Sequence, residues 1–206
     1  HFFEDGVRGG RVNAVLLDRP ALRRAITIPL LVLTTAAVTL SVPVWLPLTW
    51  LAARRLRPVA ALDRCAVLLW AYLVFETGGV NAAFVLWVWH GCPYRELGFE
   101  RPEYQAALYR LQHAWAGGLF SVGRRLFRLS VDVEGGEALA GPPAIVVARH
   151  ASLGDAVLPI VLYKAVAGHH LAYVLKRELL LDPCLDLVGN ALPNAFVDRE
   201  ADDGSS

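Results

Sequence analysis

A chain of 206 residues is long enough for one ordinary domain, or for a membrane segment joined to a smaller domain. Its 55 % hydrophobic content is above that of an ordinary soluble domain, and a formal net charge of +1 leaves no polybasic footprint for nucleic acid. Cys65, Cys92 and Cys184 are scattered and lack C-x-x-C spacing, which argues against a disulfide framework or a structural zinc site and fits a reducing, cytoplasmic setting.

Residues 1–25 read as a polar surface segment ending in the basic cluster Arg19, Arg23 and Arg24. From Ile26 to Ala53 no ionisable residue appears, a length sufficient to cross a bilayer core as a helix. Pro29, Pro43 and Pro47 predict that this helix is kinked or broken. A basic link, Arg54-Arg55-Leu56-Arg57-Pro58, leads to a second apolar stretch from Cys65 to Trp89 with one acid, Glu76. The tryptophans lie mostly near the stretch ends, where indoles favour the headgroup region. Residues 26–90 are thus expected to form a hydrophobic membrane hairpin. Basic residues flank both stretches and fill the link, so the positive-inside rule favours a re-entrant or interfacial hairpin as much as two crossings. Glu76 reads as snorkelling or hydrogen-bonded near the interface, or as an acid placed for a reason.

Residues 91–128 are expected to be an amphipathic helical linker. Pro102 to Phe127 has helical spacing, with Tyr104, Leu108, Leu111, Trp115, Leu119 and Phe120 on one side and Arg124, Arg125 and Arg128 at the end. From residue 129 the pattern alternates: strand 129–134, strand 144–148, helix 156–167, strand 171–175, helix 177–187 bent near Pro183, and strand 195–197. That order predicts an α/β fold, a partly parallel sheet following the hydrophobic helical hairpin. Both ends of the chain read as cut, so this domain, residues 129–206, is expected to be incomplete at its C-terminus.

The chemistry concentrates in Arg149-His150-Ala151-Ser152-Leu153-Gly154-Asp155, at a predicted strand-to-helix junction where α/β folds place ligands. His150 is a candidate general base. Residues five apart on a continuous helix diverge by about 140°. Asp155 therefore orients the imidazole only if the chain turns between them, as Gly154 allows. Two other readings start from the same residues. Ser152 lies one residue short of a G-x-S-x-G nucleophile elbow, which would make the protein a membrane-associated serine hydrolase. Alternatively, Ser152 or Asp155 merely caps the next helix. His90, His113, His169 and His170 read as structural or exposed.

The segment from Arg149 to Asp155 resembles the His-x4-Asp signature of the glycerolipid acyltransferases, the family of 1-acyl-sn-glycerol-3-phosphate acyltransferase. Tyr173-Val174-Leu175-Lys176-Arg177-Glu178-Leu179 is similar to the family's strand followed by a Lys-x-Glu-Leu segment. Gly189 followed by Ala195-Phe196-Val197-Asp198-Arg199 is similar to its second block, whose arginine meets the acceptor's phosphate. The resemblance covers roughly residues 144–199. Arg149 departs from it, standing where a small polar residue is usual, and the later family blocks do not occur in this sequence.

The resemblance implies transfer of an acyl group from a thioester of coenzyme A or acyl carrier protein to a lysophospholipid hydroxyl. In that scheme His150 is the base, Asp155 its orienting partner and Arg199 the grip on the substrate phosphate; Lys176 reads either as a second ligand of that phosphate or as a solvated lysine at a helix start. It requires no cofactor or metal beyond the acyl co-substrate. The expected partners are membrane lipid, lysophospholipid acceptor and acyl donor, with the catalytic domain on the cytoplasmic side of a membrane. A catalytically silent membrane scaffold is the non-enzymatic alternative.

Overall fold

The computed structural model describes residues 17–56, 61–91, 101–137, 145–147, 154–167 and 170–198, with only the backbone of 154–156 and 164–167. The described residues are mostly helical. In chain order they form α1 (Pro20–Leu40), α2 (Val42–Arg55), α3 (Leu62–Trp89), α4 (Pro102–Phe127), α5 (Gly154–Ala167), β1 (Val174–Lys176), a 3-10 turn (Arg177–Leu181), a π-helical turn (Leu185–Gly189) and β2 (Ala195–Val197).

The predicted break in the first apolar stretch falls at Ser41. Pro43 carries no N–H for the carbonyl four residues back, so the helix cannot run straight through. The Ser41 hydroxyl donates to the Ala37 carbonyl, and the Trp45 indole donates across the break to the Val38 carbonyl at 2.9 Å. The helix resumes at once, with the amides of Val44 and Trp45 bonded to the Ser41 carbonyl. The break is a kink and not a reversal. Thr35 on α1 bonds Thr77 on α3, Trp45 on α2 packs edge-on against Trp70, and Trp50 lines one groove with Arg64. These pairs descend α3 as they ascend α1 and α2, so both helices form one limb antiparallel to α3.

α1 and α3 are each long and apolar enough to cross a membrane. α4 spans Pro102–Phe127, as its periodicity predicts, and runs antiparallel to α3. Their axes come close because α3 and α4 present glycines to each other's side chains. The Phe75 ring of α3 occupies the space a Cβ would take at Gly118 of α4, and a Cβ at Gly79 of α3 would stand 3.6 Å from the Trp115 ring of α4. The two sides of the bundle differ. Leu30, Leu33, Leu40, Val44, Leu48, Phe84 and Trp89 on α1–α3 are exposed. The exposed positions of α4 include Glu103, Arg110, Ala114, Ser121 and Arg125, which fall on one polar stripe.

The core joins segments far apart in sequence. Val80 and Ala83 of α3, Tyr104 and Leu108 of α4, and Cys184, Val188 and Leu192 form one cluster, with Ile28 and Leu31 of α1 packed on it. The linker helix and the segment after β1 therefore share the hairpin's interior.

The α/β expectation holds in part. β1 and β2 form a parallel two-stranded sheet with Val174 opposite Ala195, Leu175 opposite Phe196 and Lys176 opposite Val197. β2 and α5 match the predicted segments closely; β1 starts three residues later than expected. Three expectations are corrected. Residues 129–134 are irregular, with Leu129, Val131 and Val133 exposed. Of the expected buried strand 144–148, residues 145–147 are described; they are irregular, with Ile145 94 % exposed. Apolar alternation makes a strand only beside another strand, and neither segment has one among the described residues. The expected helix 177–187 divides at Asp182, ahead of Pro183, into the 3-10 turn and a helical segment that runs on to residue 191. Proline disfavours helical backbone at the residue before it. Asp182 supplies the new cap, its Oδ1 accepting from the amides of Cys184 and Leu185 at 2.9 and 3.0 Å.

Candidate functional site

The residues singled out in the sequence fall at two places. His150, Ser152 and Arg199 lie outside the described residues, as does His169. Asp155 is in the first turn of α5, which begins at Gly154. A carboxylate there is favoured by the helix dipole whatever else it does. Lys176 is the exposed last residue of β1.

The parallel register sets Lys176 beside Val197, so the chain leaves both strands at the same edge. Asn194 ties the opposite end of the sheet: its Oδ1 accepts from the Tyr173 amide at 2.8 Å and its Nδ2 donates to the Gly189 carbonyl. At the exit edge Arg177 forms an ion pair with Asp18 at 2.5 Å and lies 3.9 Å from Asp198. Tyr173 is half-buried, and desolvation pushes its phenol up to about 12, so it stays neutral. At this edge Lys176 is exposed, while Arg177 is engaged by Asp18 and faces Asp198.

Sequence reasoning missed the most strongly paired charges in the structure. Arg23, expected on a polar surface segment, is 1 % exposed, and Asp186 is fully buried. Arg23 donates to both carboxylate oxygens of Asp186, at 2.6 and 3.1 Å, while Arg24 adds bonds at 3.0 and 3.2 Å. Asn190 donates a further bond at 3.0 Å. Burial alone would raise the Asp186 carboxyl. The bonds and charges of Arg23 and Arg24 outweigh it and hold the group below its ordinary value. The basic cluster and the lone acid were visible in the sequence; nothing local tied them together.

A second buried polar group surrounds Asp182, whose Oδ2 accepts from the Tyr72 hydroxyl at 2.6 Å. Glu76 is 1 % exposed and lies within the protein, which corrects the expectation that it snorkels at an interface. Asp182, Trp115 and Cys184 are among its neighbours. Burial first, and then the carboxylates of Glu76 and Asp182, push the Cys184 thiol well up. A thiol held neutral in this way is a poor nucleophile.

His113 and His170 meet through ring nitrogens at 3.1 Å, and the His170 ring stacks on Tyr109 at 3.9 Å. His113 is half-buried and His170 is exposed. Among the described residues no group of three or more His, Cys, Asp or Glu side chains is arranged to hold a metal ion. No family model matches this sequence, and no curated protein or solved structure is significantly similar to it.

Proposed function

We propose that the protein is a membrane-associated O-acyltransferase that moves an acyl group from a thioester to the hydroxyl of a lysophospholipid. The observation that carries this reading is the parallel pairing of β1 with β2. It puts Lys176 at the strand edge from which the chain continues through Asp198 to Arg199. Support also comes from the helix that starts at Gly154, directly after the His150 segment, and from the exposed apolar surface of α1–α3.

In the proposed reaction His150 takes the proton from the acceptor hydroxyl as its oxygen attacks the thioester carbonyl. The tetrahedral adduct collapses with cleavage of the C–S bond, and the departing thiolate recovers the proton from the imidazolium. Asp155 orients the ring, and Arg199 and Lys176 hold the acceptor's phosphate. No covalent acyl-enzyme forms, so Ser152 is a bystander. The acyl chains partition into the bilayer while the thioester carrier stays in water on the cytoplasmic side.

The test is thiol release from acyl-coenzyme A and from acyl carrier protein, with lysophosphatidate as acceptor, using membranes bearing the full-length protein. Acceptor-dependent release that disappears in His150→Ala supports the proposal. Release that survives in His150→Ala, or no release with either donor from a folded wild type, sinks it.

A further inference from the structure

At the turn end of the hairpin, Leu46, Pro47 and Trp50 of α2, Asp63, Arg64 and Val67 of α3, and Leu126 of α4 enclose a groove of about 420 Å³. That volume lies within the range of small-molecule sites, and its walls are largely hydrocarbon. Two arginines stand against it, and two more lie next to a lining residue in sequence. The Arg54 guanidinium lies 3.8 Å from the Trp50 ring centroid, on the groove wall. Arg64 lines the groove, and Arg124 and Arg125 immediately precede Leu126 on α4.

Helix dipoles account for part of this charge: Arg54 ends α2, and Arg124 and Arg125 end α4, where cations are favoured. They do not account for Arg64, which stands in the first turn of α3, where the dipole opposes it. Nor do protein carboxylates. Arg23, Arg24 and Arg177 have ion pairs; among the described residues Arg54, Arg64, Arg124 and Arg125 have none. Among the described residues Asp63 is the one acid lining the groove, and its Oδ1 accepts from the Arg64 backbone amide.

We infer that this groove binds an anionic phospholipid of the surrounding membrane, one acyl chain lying against Leu46, Trp50, Val67 and Leu126 and the phosphate held by Arg54 and Arg64. Charge complementarity selects the occupant: an apolar slot alone suits any lipid, but a slot rimmed by unpaired guanidinium groups suits an anionic one. The site is separate from the proposed acyl-transfer edge. Arg177 at that edge pairs with Asp18, just ahead of α1, whereas the groove lies at the far end of α1–α2. α3, with 28 residues, separates the two ends by about 42 Å at about 1.5 Å per residue. The inference rests on the membrane association proposed above and not on acyl transfer.

The test uses the full chain reconstituted into vesicles of phosphatidylcholine containing phosphatidylglycerol, with bromine carried on the acyl chains of one lipid or the other. Trp50 fluorescence, taken as the difference between wild type and Trp50→Phe, reports which lipid occupies the groove. Brominated phosphatidylglycerol is expected to quench Trp50 more strongly than brominated phosphatidylcholine at equal mole fraction. The double variant Arg54→Gln/Arg64→Gln should lower that preference roughly tenfold or more. Arg110→Gln, on the polar stripe of α4, should leave it unchanged. Equal quenching by the two lipids overturns the inference, as does a preference that survives the double variant or falls equally in Arg110→Gln. Absence of quenching by either lipid overturns it together with the membrane association, while the thiol-release assay remains an independent measure of acyl transfer.

Discussion

The ring of Phe75 on α3 fills the place where any side chain at Gly118 on α4 would begin. This contact sets how closely the second limb of the hairpin and the amphipathic helix approach. The ring cannot withdraw without leaving a void, since protein interiors are close-packed.

Gly118→Leu is therefore expected to force α3 and α4 apart and to destabilise the fold by about 1–3 kcal/mol or more through overpacking. Gly117 is the internal control, because a Cβ there meets nothing within 4 Å. Gly117→Ala should be neutral, or slightly stabilising through helix propensity. Denaturant titration of the two variants in one detergent checks this. Equal midpoints would show that the ring has somewhere else to go.

Asp186→Asn leaves Arg23 buried without its counter-charge, which for a buried pair costs about 3–5 kcal/mol. Arg24→Gln should cost much less, since the Arg24 side chain is 40 % exposed and Arg23 keeps its bonds. The wild-type pair also predicts an acid limb. The folded carboxyl lies below its ordinary value near about 3.9, so its stabilisation is complete above that pH. It is lost as pH falls through the lowered folded value. Thermal melts between neutral and strongly acidic pH should show a loss that Asp186→Asn lacks. The same acid slope in both proteins would assign it to other carboxyls.

Cys184 is buried, and both its neighbours and its surroundings disfavour the thiolate, whereas Cys65 is exposed. In single-cysteine variants, maleimide should label Cys184 only after denaturation and at least about tenfold more slowly than Cys65 before it. Rapid native labelling of Cys184 would show that the packing of residues 184–192 against α3 opens readily.

The helices were the legible part of this chain. The period of Pro102–Phe127 gave α4 to the residue, and the prolines of 26–53 foretold the kink, because a helix advertises its buried side at intervals of three and four. Strands advertise much less. Val131 and Val133 alternate with Asp132 and Glu134 just as a strand should, yet they have no neighbour to pair with among the described residues. β2, with the same short apolar character, pairs with β1. The candidate site divides likewise. That β1 and β2 end side by side, at Lys176 and Val197, followed from two short apolar runs in an alternating pattern. The clasp between Arg23 and Asp186 joins positions 163 residues apart, and no local pattern marks a charge that will be buried.

That clasp also orders events in time. Translation proceeds from the amino end at roughly 5–20 residues per second, so Asp186 is made roughly 8–30 s after Arg23. Throughout that interval the first apolar helix emerges with Arg19, Arg23 and Arg24 uncompensated at its leading end. Only when the segment carrying Asp186 arrives can Arg23 and Arg24 be neutralised, so this part of the core closes late.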